Sequence, residues 1–229
     1  MQPLASISII KSIGEYKMKG IIFDLDGVIV DTAKYHYLAW NNLAKELGFT
    51  FTKKDNELLK GVSRVRSLEI LLNIGGITLT KEEFDAYAAK KNSEYVKLIE
   101  QLTPNDILPG VKEFIITLKK NNYLISLGSA SKNALFILNH LDLTSYFDAI
   151  VDGTHVSKAK PDPEVFLTAA KKLNLPPNEC IVFEDAAAGV EAGKNANMKV
   201  IGVGDKNVLH KADLVIQSFE NLTLDSLEV

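Results

Sequence analysis

A four-residue apolar run, Gly20-Ile21-Ile22-Phe23, stops abruptly at Asp24-Leu25-Asp26-Gly27, and similar runs recur at Leu124 to Leu127, Ala149 to Val151, Ile181 to Phe183, Val200 to Val203 and Leu214 to Ile216. Short continuous apolar runs are the pattern of strands covered on both faces. Between the later runs lie stretches with apolar residues at helical spacing, Asn133 to Leu141, Pro163 to Leu173 and Ala187 to Ala196, with another at Val111 to Asn121 before the second run. This alternation predicts an α/β fold, a Rossmannoid parallel sheet core with helices on both faces.

The rhythm breaks between Lys34 and Leu102, where apolar residues keep helical spacing and strand-like runs are almost missing. Examples are Tyr35, Leu38, Ala39, Leu43 and Leu47, then Leu68, Leu71 and Leu72, then Phe84, Tyr87 and Ala88, then Tyr95, Leu98 and Ile99. The pattern predicts an inserted α-helical domain after the first strand. Residues 34–102 hold 11 Lys and Arg against 9 Asp and Glu, whereas the remainder holds 15 against 20. Met1 to Lys17 reads as an N-terminal extension, so the expected organisation is 1–17 extension, 18–33 and 103–229 core, and 34–102 insertion. With roughly 100–200 residues per domain, 229 residues accommodate that arrangement.

Composition removes several function classes. The 26 Lys and Arg against 29 Asp and Glu give a net charge of −3, with no electrostatic footprint for nucleic-acid phosphates. One cysteine, Cys180, cannot form an internal disulfide or a multi-cysteine metal site, which points to a reduced, cytoplasmic protein. The four histidines, His36, His140, His155 and His210, lack the spacing of a zinc helix, so a metal would be held mainly by carboxylates, as Mg²⁺ is. No run of about 18 apolar residues spans a bilayer. The patch from Leu4 to Ile10 lacks the basic region and cleavage site of a signal peptide.

In open α/β sheets, ligands bind outside the carboxyl ends of the strands. Four expected strand ends carry polar residues there: Asp24 and Asp26, Ser129-Ala130-Ser131-Lys132, Lys160-Pro161, and Glu184-Asp185. Asp24 is placed to attack phosphorus, and Asp26 to give or take the proton of the departing or arriving hydroxyl. Crowding these with Glu184 and Asp185 calls for a cation among them, and oxygen ligands with phosphate chemistry point to Mg²⁺. Lys160 would neutralise the nucleophilic carboxylate and the incoming phosphoryl group. Ser129 and Ser131 either cradle a phosphate oxygen or simply cap the helix that follows.

The run Phe23-Asp24-Leu25-Asp26-Gly27-Val28, with Ser129, Lys160 and Glu184-Asp185 in order behind it, resembles the four motifs of the haloacid dehalogenase (HAD) superfamily of aspartate-nucleophile phosphotransferases. Within it the chain is similar to the β-phosphoglucomutase family at Asp31-Thr32, His36, Trp40, Lys60-Gly61-Val62-Ser63-Arg64, Ser67, Lys91-Asn92 and Ser129-Ala130-Ser131-Lys132-Asn133. The pattern departs at Ala186-Ala187-Ala188-Gly189, where relatives often follow the acidic pair with a polar residue, and in the loop Asp152 to Ala159.

The resemblance implies an HAD-like core with a helical cap and a phosphomutase that interconverts β-glucose 1-phosphate and glucose 6-phosphate. Asp24 would be phosphorylated by β-glucose 1,6-bisphosphate, with Asp26 as acid and base. Mg²⁺ would be held by Asp24, Glu184, Asp185 and the backbone carbonyl of Asp26. Arg64, Ser131, Lys132 and Asn133 would grip the distal phosphate. His36 and Lys91 would contact the sugar and align Asp26, and Thr32 would hold Asp26 aside until the cap closes. Lys60, Gly61, Val62, Ser63, Ser67, Trp40, Ser129, Ala130 and Lys160 complete the expected substrate site. The alternative within the family is a Mg²⁺-dependent sugar-phosphate phosphatase. Either way the expected partners are small sugar phosphates, with neither nucleic acid nor membrane, and the chain is expected to be a monomer.

Overall fold

The computed structural model describes residues 20–59 and 62–227. The expected extension 1–17 and two expected site residues, Lys60 and Gly61, lie outside them. Six strands, β1 (Gly20–Phe23), β2 (Leu124–Gly128), β3 (Ala149–Val151), β4 (Cys180–Glu184), β5 (Lys199–Val203) and β6 (Leu214–Ile216), form one parallel sheet in the order β3-β2-β1-β4-β5-β6. Four helices, α1 (Ala33–Glu46), α2 (Lys53–Glu57), α3 (Arg64–Gly75) and α4 (Lys81–Ile99), separate β1 from the rest. The others are α5 (Val111–Lys120), α6 (Ala134–His140), α7 (Glu164–Lys172) and α8 (Ala187–Asn195). The strands and helices expected from apolar runs and spacing lie within a residue or two of these.

Side chains alternate across the sheet as a strand's two-residue period requires. Ile21, Phe23, Ile125, Leu127, Ile181 and Phe183 pack with Phe114, Ile115 and Leu118 of α5 and Ile137 and Leu138 of α6. Ile22, Val182 and Val200 face the other way, into Val165, Phe166 and Ala169 of α7 and Val190 and Ala192 of α8. The Phe23 ring stacks on Phe183 at 5.1 Å, and each such ring contributes about 1.5–3 kcal/mol by leaving water. A second cluster, Trp40, Leu43, Ala44, Phe51, Leu68, Leu71 and Leu72, fills the space between α1 and α3. The starts of α2 and α4 are fixed by reciprocal capping of Thr52 with Asp55 and of Thr80 with Glu83.

The register positions the site. Phe23 pairs with Leu127 on one side and Phe183 on the other, so Asp24, Gly128 and Glu184 emerge level at one edge of the sheet. The strand order reverses between β1 and β4, which opens the crevice where ligands of such sheets bind. The two segments joining the helical insertion to the sheet lie side by side. Val30 bridges Ile107, and the Leu108 N–H donates to the Ile29 carbonyl at 2.9 Å.

Candidate active site

The end of β1 is the most acidic part of the crevice. Lys160 Nζ lies 2.6 Å from Asp24 Oδ1 and 2.8 Å from Glu184 Oε2, with all three side chains buried. Burial alone would lower the lysine, but Asp24 and Glu184 outweigh it and hold the ammonium charged above its usual range. Glu184 is pushed up by burial against the pull of Lys160, and its Oε1 accepts the Ala186 N–H at 3.0 Å. Asp24, Glu184 and Asp185 each bring a carboxylate oxygen within 4.8 Å of the others. Asp24 and Glu184 share the one ammonium with Asp185 close by, and this all-oxygen donor set suits Mg²⁺. The backbone is cut to fit these acids. Gly27 turns with φ +79°, a conformation that disfavours other residues, and a Cβ there would overlap the Asp185 carboxylate; one on Gly189 would overlap that of Glu184.

Asp26, two residues beyond Asp24, has a different partner. Its carboxylate accepts a hydrogen bond from the Thr32 hydroxyl, which is fully buried. Burial, then the neighbouring Asp24 charge, lifts Asp26 to about 6, with Thr32, Lys160 and Lys91 pulling the other way. A carboxyl poised there can both donate and accept a proton near neutral pH.

Across from Asp26, α1 and α4 bring together a basic cluster. Lys91 Nζ sits 2.9 Å from His36 Nδ1, 4.4 Å above the Trp40 ring and 4.7 Å above that of Tyr95. Burial, and then the positive charge of Arg64, drive Lys91 down to about 7, while burial and Lys91 push His36 well below its usual range. The His36 ring stacks on Tyr95 at 4.0 Å. Arg64, the first residue of α3, is half-buried, and the same burial lowers it. His36, Lys91 and Arg64 therefore form one concentration of basic side chains, with Lys91 buried and the other two half-buried.

The segment after β2 supplies a third element. Ser129 is buried, Ala130, Ser131 and Asn133 are half-buried, and Lys132 is exposed. The Ser129 hydroxyl accepts the Ser131 N–H at 3.1 Å, and the Ser131 hydroxyl accepts the Asn133 N–H at 3.2 Å. The N-cap of α6 is Asn133, with no side-chain cap bond, so the two serine hydroxyls do not cap the helix and instead bond within the loop before it. The Asn133 amide reaches over to donate to Asn92 of α4 at 3.0 Å, tying the loop to the helical insertion.

Thus Asp24, Lys160, Glu184 and Asp185 converge, and Asp26, Thr32, His36, Trp40, Lys91 and Arg64 form a second group linked to it through Asp26. Trp40 and Thr32 are buried and act through Lys91 and Asp26. The Ser63 hydroxyl is the N-cap of α3, accepting the Arg66 N–H at 3.3 Å, Ser67 is buried on that helix, and Val62 is half-buried beside it. Sequence reasoning missed Tyr95. Its ring supports both His36 and Lys91, and its hydroxyl lies beside Thr32 and Asp26. The signal was its position four residues after Lys91, on the same helical face.

Residues 21–203 match the family described as haloacid dehalogenase-like hydrolase. The β-phosphoglucomutase of Bacillus subtilis (strain 168) is 46% identical over 212 residues, which cover 92% of this chain and 94% of that protein. A crystal structure of β-phosphoglucomutase from Clostridium difficile superposes with a TM-score of 0.88 at 47% identity, covering 92% of this chain and 95% of that one. The phosphorylated carbohydrates phosphatase of Thermotoga maritima is 32% identical over 186 residues, covering 80% of this chain and 84% of that protein. Among the described residues, no helix is long and apolar enough to cross a membrane.

Proposed function

The chain belongs to the haloacid dehalogenase-like hydrolase family, and from that premise we infer that it interconverts β-glucose 1-phosphate and glucose 6-phosphate as a phosphomutase. The observation that carries this beyond phosphate-ester chemistry in general is the second group of donors. A hydrolase needs one phosphate site, whereas a mutase must hold a bisphosphate by both ends. Buried Lys91, with His36 and Arg64 half-buried beside it, is a second basic group besides Lys160, and Asp26 feels the charge of both lysines.

The residues support the following division of work. Asp24 attacks a phosphorus of β-glucose 1,6-bisphosphate, the bond from phosphorus to the sugar oxygen breaks, and Asp26 gives that oxygen its proton. The aspartyl phosphate is then attacked by the 6-hydroxyl of β-glucose 1-phosphate, whose proton passes to Asp26. The bisphosphate so formed turns end for end and returns its 1-phosphate to Asp24, releasing glucose 6-phosphate. Lys160 spreads positive charge over the nucleophile, and Ser129 with the loop N–H groups holds the transferring group. Arg64 grips the distal phosphate through paired guanidinium donors, with Ser131, Lys132 and Asn133 beside it. Asp24, Glu184, Asp185 and the Asp26 carbonyl would hold Mg²⁺, which supplies charge neutralisation at the phosphoryl oxygens.

Residues 34–102 would act as a cap over the core of 18–33 and 103–229. Thr32, at the joint, keeps Asp26 engaged until substrate draws the cap down, which limits loss of the phosphoryl group to water. The protein would work as a cytoplasmic monomer on small sugar phosphates. The test is incubation with α- and β-glucose 1-phosphate, Mg²⁺ and a trace of bisphosphate. Formation of glucose 6-phosphate from the β-anomer alone supports the inference. Release of inorganic phosphate without glucose 6-phosphate overturns it in favour of a phosphatase.

A further inference from the structure

We propose that Asp152 is a positioning residue for the loop Ser129–Asn133, holding its phosphate donors in place from outside the site. What the loop binds rests on the mutase reading above; how it is held does not. Asp152 follows β3, whose last residue, Val151, pairs with Gly128 at the end of β2. From there the two chains stay in contact. The Ser129 N–H donates to the Val151 carbonyl at 3.0 Å, and the Gly153 N–H donates to the Ser131 carbonyl at 3.2 Å. These two bonds pin both ends of Ser129-Ala130-Ser131 to the segment Val151-Asp152-Gly153. The approach is close enough that a Cβ on Gly153 would overlap the Ala130 carbonyl oxygen and press on Lys132 Cγ at 3.1 Å.

The anchoring segment is itself a turn, and the Asp152 carboxylate makes most of its side-chain bonds. Asp152 is 7% exposed, and its Oδ1 accepts the Thr154 N–H at 2.8 Å and the Thr154 hydroxyl at 2.6 Å, with His155 Nδ1 at 2.9 Å. The His155 N–H closes the turn on the Asp152 carbonyl at 3.0 Å. Removing that oxygen hands the donors of the exposed Thr154 to water, and the turn loses the bonds that fix its shape. Opening it moves Gly153 and with it Ser131. A shift of about 1 Å in a group that positions substrate costs up to about a hundredfold. The side-chain partners of Asp152 are Thr154 and His155, so its effect passes through the turn to the loop.

The experiment compares Asp152→Ala, Asp152→Asn and Gly153→Ala with the wild type. Asparagine keeps an oxygen for both Thr154 donors, whereas alanine does not. We expect KM for β-glucose 1-phosphate to rise about tenfold or more in Asp152→Ala and Gly153→Ala with kcat within about threefold, and Asp152→Asn to stay near wild type. Thermal melting checks folding; if Asp152→Ala is insoluble, Thr154→Val loosens the same turn and is judged on the same KM. Unchanged KM in Gly153→Ala and the folded turn variant overturns the proposal, as does equal damage in the asparagine and alanine variants. Titration of all forms with inorganic phosphate separates this from failure of the mutase reading. Weaker phosphate binding in Asp152→Ala and Gly153→Ala than in the wild type and Asp152→Asn supports the anchor whether or not the sugar is isomerised. Equal binding in all four overturns it.

Discussion

Lys91→Met should make the protein more stable at neutral pH while impairing it as an enzyme, by an amount that shrinks as the pH rises. Lys91 is 3% exposed and lies among Arg64 of α3, His36 of α1, Asp26 of the sheet end, and Glu94 and Tyr95 of its own helix. Burial and Arg64 take its pKa from 10.5 to about 7. Between those two values the unfolded chain binds a proton that the folded chain does not. Stability therefore rises with pH through that window, and the penalty is largest below about 7. At about 1.4 kcal/mol per unit, the penalty is about 4 kcal/mol at pH 7 and about 2 kcal/mol at pH 9. The variant removes it and loses one hydrogen bond to His36, worth about 1 kcal/mol. Its net advantage is then about 3 kcal/mol at pH 7, falling to about 1 kcal/mol at pH 9. Urea unfolding of both proteins at several values between pH 7 and 9 measures this. That range avoids His36, which titrates well below it. A stability difference that does not change with pH would refute the reasoning, because Lys91 would then carry its proton equally in both states.

Asp26→Asn should slow phosphoryl transfer from β-glucose 1,6-bisphosphate about 10²–10⁴-fold while leaving transfer from acetyl phosphate, whose leaving group needs no proton, nearly intact; mass spectrometry of the aspartyl phosphate distinguishes the two. Lys160→Met should cost about 3–5 kcal/mol in unfolding free energy, because Asp24 and Glu184 would face each other buried without a cation. Added Mg²⁺ should recover part of that loss in the melting temperature, and chelation should remove the gain. Gly27→Ala should weaken Mg²⁺ activation more than it weakens binding of β-glucose 1-phosphate, since the new methyl group displaces the Asp185 carboxylate; a Mg²⁺ titration of activity that matches wild type would contradict this.

Much of the core was legible because parallel strands end at one edge. Once the apolar runs at 20–23, 124–127 and 181–183 are recognised as adjacent parallel strands, the polar residues behind each must meet, whatever the loops between them do. Asp24, Ser129 and Glu184-Asp185 therefore stood out from local pattern alone, whereas Lys160 lies well beyond the end of β3. Ser63, Ser129 and Ser131 did not show their roles in the same way, since a serine before a helix caps it in one context and folds a loop in another. The structure makes Ser63 the cap and the other two the loop formers.

What the sequence by itself determined was the order of elements, the helical insertion and the acids at the strand ends, because each of these follows from side-chain periodicity over a few residues. Only the tertiary structure decided that Thr32 bonds Asp26, that Lys91 meets His36 and Tyr95, and that the turn at Asp152 and Gly153 lies against the Ser129–Ser131 loop. Contacts between residues as distant in the chain as His36 and Lys91 leave no periodic trace. The shifted pKa values of Asp26 and Lys91 arise largely from the burial that those contacts create.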